Sequence, residues 1–135
     1  HNGAPCMVSG GNGGSSAWVA ASQVLRAREV ALTGMDFSYA PGTPIERTQY
    51  FTELIQLFGD QAHEAIIRVE NPYLGETWLA DPAYYWYRES LLGLIRQASC
   101  VTYNCTEGGI LFGEPVRWLP LKEFLAARCG VRAGG

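Results

Sequence analysis

The sequence predicts a doubly wound α/β domain: a Rossmann-like parallel sheet flanked by helices, in three α/β/α layers. Three observations predict it. Apolar runs too short to be helices alternate with stretches whose apolar residues recur at helical spacing. Each such run ends in a polar, glycine-bearing loop. Strand, loop and helix then repeat along most of the chain, the pattern of parallel βαβ units. Sheets of this kind take ligands outside the carboxyl ends of their strands, so the loops are where chemistry is expected.

Pro5-Cys6-Met7-Val8 reads as a first strand, entered with no preceding element, so the N-terminal part of the fold is expected to be missing. The loop Ser9 to Ser16 follows, with four glycines, and Ser15 or Ser16 is placed to cap the next helix. In that helix Ala17, Ala20, Ala21, Val24 and Leu25 recur at helical spacing. Glu29 to Thr33 is a second buried strand, ending at Gly34-Met35-Asp36-Phe37-Ser38-Tyr39. Thr43 to Phe58 carries Ile45, Tyr50, Leu54, Leu57 and Phe58 as one amphipathic helix, with Pro44 in its first turn and Gly59 at its stop. The segment from Gln61 to Glu70 is read as helix turning to strand at Ala65 to Val69, and Asn71-Pro72 as a break.

Asp81-Pro82 opens a helix over Ala83 to Ala98 bearing Tyr84, Tyr87, Leu91, Leu94 and Ile95. Val101 to Asn104 is a third strand, with Thr106-Glu107-Gly108-Gly109 at its end. Val116 to Leu119 reads as an edge segment, Leu121 to Arg128 as a last helix, and 130–135 as a flexible tail. All 135 residues form one domain on this reading.

Composition narrows the function classes. A net charge of -3 with acids and bases interspersed offers no basic stripe for a phosphate backbone, so nucleic acid is not expected as a partner. No apolar run approaches the ~20 residues that span a bilayer, and no signal peptide is evident. The four cysteines have neither zinc-site spacing nor the density of a disulfide scaffold, and a cytoplasmic protein is expected.

Three loops carry the candidate chemistry. The bare amides of Ser9, Gly10, Gly11, Asn12 and Gly13, before a helix, could receive a phosphate, although a tight βα turn explains the same glycines equally well. Asp36 could take ribose hydroxyls or a hydrated cation. Asn104, Thr106 and Glu107 offer hydrogen-bonding groups at the third strand end, or a structural turn. His63 is assigned to surface or packing, and Cys100 and Cys105 to small apolar roles. The run Tyr84-Tyr85-Trp86-Tyr87 is assigned to core and interface, since consecutive helical aromatics point in different directions.

Ser9-Gly10-Gly11-Asn12 with the alanine-rich helix, Val30 to Phe37, and Tyr103 to Gly109 occur in that order. Together they resemble the C-terminal half of the DUF115 family, over about Pro5 to Phe124. That family is similar to small Rossmann-like bacterial sialyltransferases, and it includes motility accessory proteins that glycosylate flagellin and a 6-hydroxymethyl-dihydropterin diphosphokinase. The resemblance implies a transferase using a nucleotide or nucleotide-sugar donor of the CMP-sugar type. Ser9, Gly10, Gly11 and Asn12 would lie near the donor phosphates, and Asp36 with Ser38 or Tyr39 near the transferred group. The similar sialyltransferases have tyrosine directly after Gly-x-Asp-Phe, where Ser38 stands here and Tyr39 one further on. Their Tyr-x-Gly-His segment, which supplies the base, reads Tyr73-Leu74-Gly75-Glu76, with Glu76 at the histidine position.

Three functions follow as expectations. The first is a glycosyltransferase that needs no metal. The second is a diphosphokinase using ATP and magnesium with Asp36 as a metal carboxylate. The third is a non-catalytic binding or assembly module. A sheet lacking its N-terminal strands would leave an apolar edge, for which a homo-oligomer is the expected remedy.

Overall fold

The computed structural model describes residues 12–129, so the strand read at Pro5 to Val8 and the tail at 130–135 lie outside the described residues. The chain is mixed α/β. A parallel sheet is formed by β1 (Glu29–Leu32), β4 (Val101–Asn104) and β5 (Arg117–Trp118), in the order β1-β4-β5. A separate antiparallel hairpin pairs β2 (Ile67–Asn71) with β3 (Glu76–Ala80).

Helix α1 (Gly13–Val19) runs directly into a π-helical turn at Ala20–Val24. Its cap is not Ser15 or Ser16 but Asn12, whose backbone is extended and whose Oδ1 accepts from Ser15 N at 3.0 Å. Ser15 is instead fully buried. Trp18 comes off the inner face of α1, and its indole N–H donates to the buried Thr102 hydroxyl at 2.9 Å, tying the helix to β4.

The single helix expected over Thr43 to Phe58 is broken. Pro44 and Thr48 are both extended, bracketing a 3-10 turn at Ile45–Arg47, and only α2 (Phe51–Phe58) is α-helical. Thr48 is buried and its hydroxyl donates to Ile45 O, a local bond that competes with helix continuation. A 3-10 segment, Gly59–Ala65, leads into β2, which begins two residues later than the sequence reading. Strand β3 was not anticipated. Its partner residue Asn71 makes the tight reversal, accepting from Tyr73 N and Leu74 N through Oδ1.

Helix α3 (Pro82–Gln97) starts as the sequence reading has it, with Asp81 Oδ1 accepting from Tyr84 N at 2.8 Å and proline in the first turn. Leu91, Leu92 and Ile95 on α3 join Trp18 and Val19 on α1 and Val30 and Leu32 on β1 in one core cluster. Burial of such side chains is worth about 1.5–3 kcal/mol each, so this cluster fixes both helices against the sheet. The other face carries Tyr103, which packs edge-on against Phe124 of α4 (Leu121–Arg128). Among the described residues, no helix is long and apolar enough to cross a membrane.

Candidate functional site

Because β1 and β4 are parallel neighbours, the loops that follow them emerge side by side. Leu32 pairs with Asn104 in register, and Cys105 N donates to Leu32 O just beyond the last pair. The two loops are then stitched together: Met35 N donates to Thr106 Oγ1 at 3.2 Å, and Ile110 N to Asp36 O at 2.9 Å. Asp36, Asn104 and Thr106 are thus brought into one constellation.

Much of the second loop is held by side chains from elsewhere. The buried Asn104 amide donates to Leu111 O at 2.7 Å while its oxygen accepts from Thr106 N at 2.9 Å. Asn71, from the β2–β3 hairpin, donates to Gly109 O at 2.8 Å. The buried Arg88 of α3 donates to Ile110 O and Phe112 O, and stacks over the Tyr85 and Phe112 rings. Gly109 lies so close to the first loop that a Cβ there would stand 2.5 Å from both Cα and O of Asp36. The backbone under Asp36 is therefore rigidly supported.

The Asp36 side chain is not supported in this way. Among the described residues its carboxylate has neither a hydrogen bond nor an ion pair, and partial burial pushes its carboxyl above the ordinary range. Asp36 is among the residues that line a cleft of about 520 Å³, and its Oδ1 also lies near Gly108, 3.7 Å from where a Cβ there would stand. Asn12 and Gly14, at the start of α1, form one side; Gly34 to Ser38 form the floor. The far wall is Gln49 and Tyr50 from the stretch before α2, with Tyr84 and Tyr87 of α3.

Of the expected site residues that are described, only Asp36 and Asn12 line this cleft; Gly13, Tyr39, Glu76, Asn104, Thr106 and Glu107 do not. Tyr39 turns away: its hydroxyl donates to Asp81 Oδ2 at 2.6 Å and accepts from Gln49 N at 3.0 Å. Burial, and next the Asp81 carboxylate, push its phenol far above the ordinary value, so it stays protonated. Glu76 begins β3 opposite Asn71, exposed, outside the cleft lining. Glu107 is exposed at a positive φ of 62° on the second loop. Asn12 and Gly13 are at the helix start, Gly13 exposed, while Ser9, Gly10 and Gly11 lie outside the described residues.

The tyrosines are the part that sequence reasoning assigned elsewhere. Tyr84 and Tyr87 stand three residues apart and so share a helix face, which fronts the cleft rather than serving core and interface alone. Tyr84 is held by its hydroxyl bond to Gln49 Oε1 at 2.7 Å, and its ring meets Tyr50 edge-on, 5.9 Å between centroids. The signal available was the spacing of Tyr84 and Tyr87; the partner at Tyr50 comes from the broken helix. His63 is exposed against Glu46, and Cys105 is buried, both as expected. No group of three or more His, Cys, Asp or Glu that could hold a metal occurs among the described residues. The chain matches no protein-family model, no curated protein and no solved structure.

Proposed function

We propose that this chain is a nucleotide-binding domain of a transferase, with a Rossmann-like α/β/α architecture of the DUF115 and sialyltransferase-like kind, acting in the cytoplasm on a nucleotide-sugar donor. The observation that carries the reading is that Asp36, whose carboxylate has no partner among the described residues, lines an open cleft at the carboxyl end of β1. A carboxylate left without partners on a rigid backbone is pre-organised for something that arrives from outside. A raised pKa brings a carboxylate closer to the working range of a general base, which an acceptor hydroxyl would require. Backbone amides at the start of α1 would meet the donor phosphates.

A second reading has one specific observation in its favour. None of the described cleft residues is a lysine, arginine or histidine. Donor phosphates beside Asp36 would then need a counter-charge, and magnesium held by Asp36 and phosphate oxygens supplies one, as in a diphosphokinase.

Thermal shift of the full chain against CMP, CDP, UDP, ATP and AMP, each with and without magnesium, tests both, because a ligand of the native state raises Tm. CMP acting without magnesium supports the glycosyltransferase, and ATP acting only with magnesium supports the diphosphokinase. No shift with any nucleotide refutes the donor site.

A further inference from the structure

The chemistry of the cleft walls selects for more than a nucleotide. Its polar floor is Asp36, unpartnered among the described residues, and the Asp81 carboxylate stands behind the wall, bonded to Tyr39 and capping α3. The far wall carries three aromatic residues, Tyr50, Tyr84 and Tyr87, while Phe37 beside Asp36 lines the floor and also packs against the core. Tyr50 and Tyr84 meet at an interplanar angle of 81°, forming a corner rather than a flat stack.

An anion entering this space meets a carboxylate and a lining of electron-rich aromatic residues with no lysine or arginine among them. A neutral sugar finds stacking surface but leaves the charge of Asp36 uncompensated. A cation carried on an alkyl chain satisfies both features, since ring quadrupoles attract it and the carboxylate neutralises it.

We infer that the cleft lined by Asp36, Tyr50, Tyr84 and Tyr87 binds an alkylammonium group. It shares with the donor reading only the identification of this cleft as a ligand site, and needs no nucleotide. If a donor is also bound, its phosphates lie toward Asn12 and Gly14, and the ammonium belongs to the molecule that meets them at Asp36.

Calorimetric titration of the full chain with choline, with ethanolamine, and with 3,3-dimethylbutan-1-ol, the uncharged isostere of choline, tests this. Choline or ethanolamine is expected to bind at least about ten-fold more tightly than the isostere. The stronger of the two tells whether the rings or hydrogen bonding to Asp36 dominates. D36N, which keeps the shape and removes the charge, should weaken that ligand by a similar factor, and Tyr50→Leu should weaken a quaternary ammonium more than a primary one. Neither choline nor ethanolamine binding more tightly than the isostere, an unaffected D36N variant, or no binding by folded wild-type protein would each overturn the inference. Nucleotide stabilisation without ammonium binding sinks this inference alone; ammonium binding without nucleotide stabilisation sinks the donor reading alone.

Discussion

Replacing Gly109 by alanine tests whether the backbone beneath Asp36 is held by close packing of the two strand-end loops. Gly109 has φ +79°, and Gly34, on the first loop, has φ +71°. An L-residue in this region costs roughly 1–2 kcal/mol, so both alanine variants bear that cost alike. They differ in space. A Cβ at Gly34 meets nothing within 4 Å, whereas one at Gly109 meets Asp36 Cα and O at 2.5 Å. The loops must separate by roughly an ångström to restore an ordinary carbon contact of about 3.5 Å. Two bonds lie in that path: Ile110 N to Asp36 O, 2.9 Å, and Asn71 Nδ2 to Gly109 O, 2.8 Å. Losing each costs about 1 kcal/mol, and up to ~3 where a buried group is left without a partner. Gly109→Ala should therefore be less stable than Gly34→Ala by about 2–4 kcal/mol. At roughly 3–5 °C per kcal/mol for a chain of this size, the gap in Tm is about 6–20 °C. Urea denaturation and differential scanning calorimetry of the two variants measure it. Equal stabilities would refute the close approach of the loops.

Asp36→Asn should change the pH dependence of stability. Burial raises the folded-state pKa of Asp36, so over the window from the ordinary aspartate value near 3.9 up to that raised value the folded state binds more protons and wild-type stability falls as pH rises. The stability of Asp36→Asn relative to wild type should accordingly rise through that window and then level off; urea melts from pH 4 to 7 check the sign. Asp81→Ala removes both the cap of α3 and the acceptor for the Tyr39 hydroxyl, and should cost about 2–4 kcal/mol by chemical denaturation. Asn12→Ala should cost about 1 kcal/mol, while Ser16→Ala should cost less, since Asn12 makes the side-chain cap. Trp18→Phe leaves the buried Thr102 hydroxyl without its donor at a cost of about 1–3 kcal/mol, and adding Thr102→Val should return part of it in a double-mutant cycle.

The parts of the fold legible in the sequence are those whose cause is local. Asp81-Pro82 sets the start of α3 because a carboxylate cap and a fixed φ act within a single turn. Glu29 to Thr33 and Val101 to Asn104 read as strands because both are short runs bounded by polar loops, and the βαβ pattern led to a parallel sheet, while which strands are neighbours is seen only in the structure. The errors arise where two local preferences compete. Thr48 can extend a helix or bond its own preceding carbonyl, and only tertiary packing, which buries it, decides for the latter. Strand β3 lacks a periodic apolar signature, and the turn before it depends on Asn71 satisfying two amides, a role shared by many loop asparagines.

The candidate site was legible to a different degree on its two sides. Asp36 was legible because a carboxylate at the end of a buried strand has few structural duties, and none holds its side chain among the described residues. Asn104 has the same position on the neighbouring strand but spends both ends of its amide on the loop, so position alone does not separate a ligand-facing group from a brace. The facing wall was legible only in the spacing of Tyr84 and Tyr87. It needs Tyr50, delivered by an interrupted helix, to meet Tyr84, oriented by Gln49, and each of these depends on long-range contacts invisible to periodicity. Charge is the sharper constraint: none of the described residues lining the cleft is a lysine or arginine, so among them an anion is met by backbone amides or by a cation it brings with it. That constraint separates the candidate ligands more sharply than the shape of the cleft does, because a partly buried carboxylate discriminates by the sign of the ligand's charge before any hydrogen bond is made.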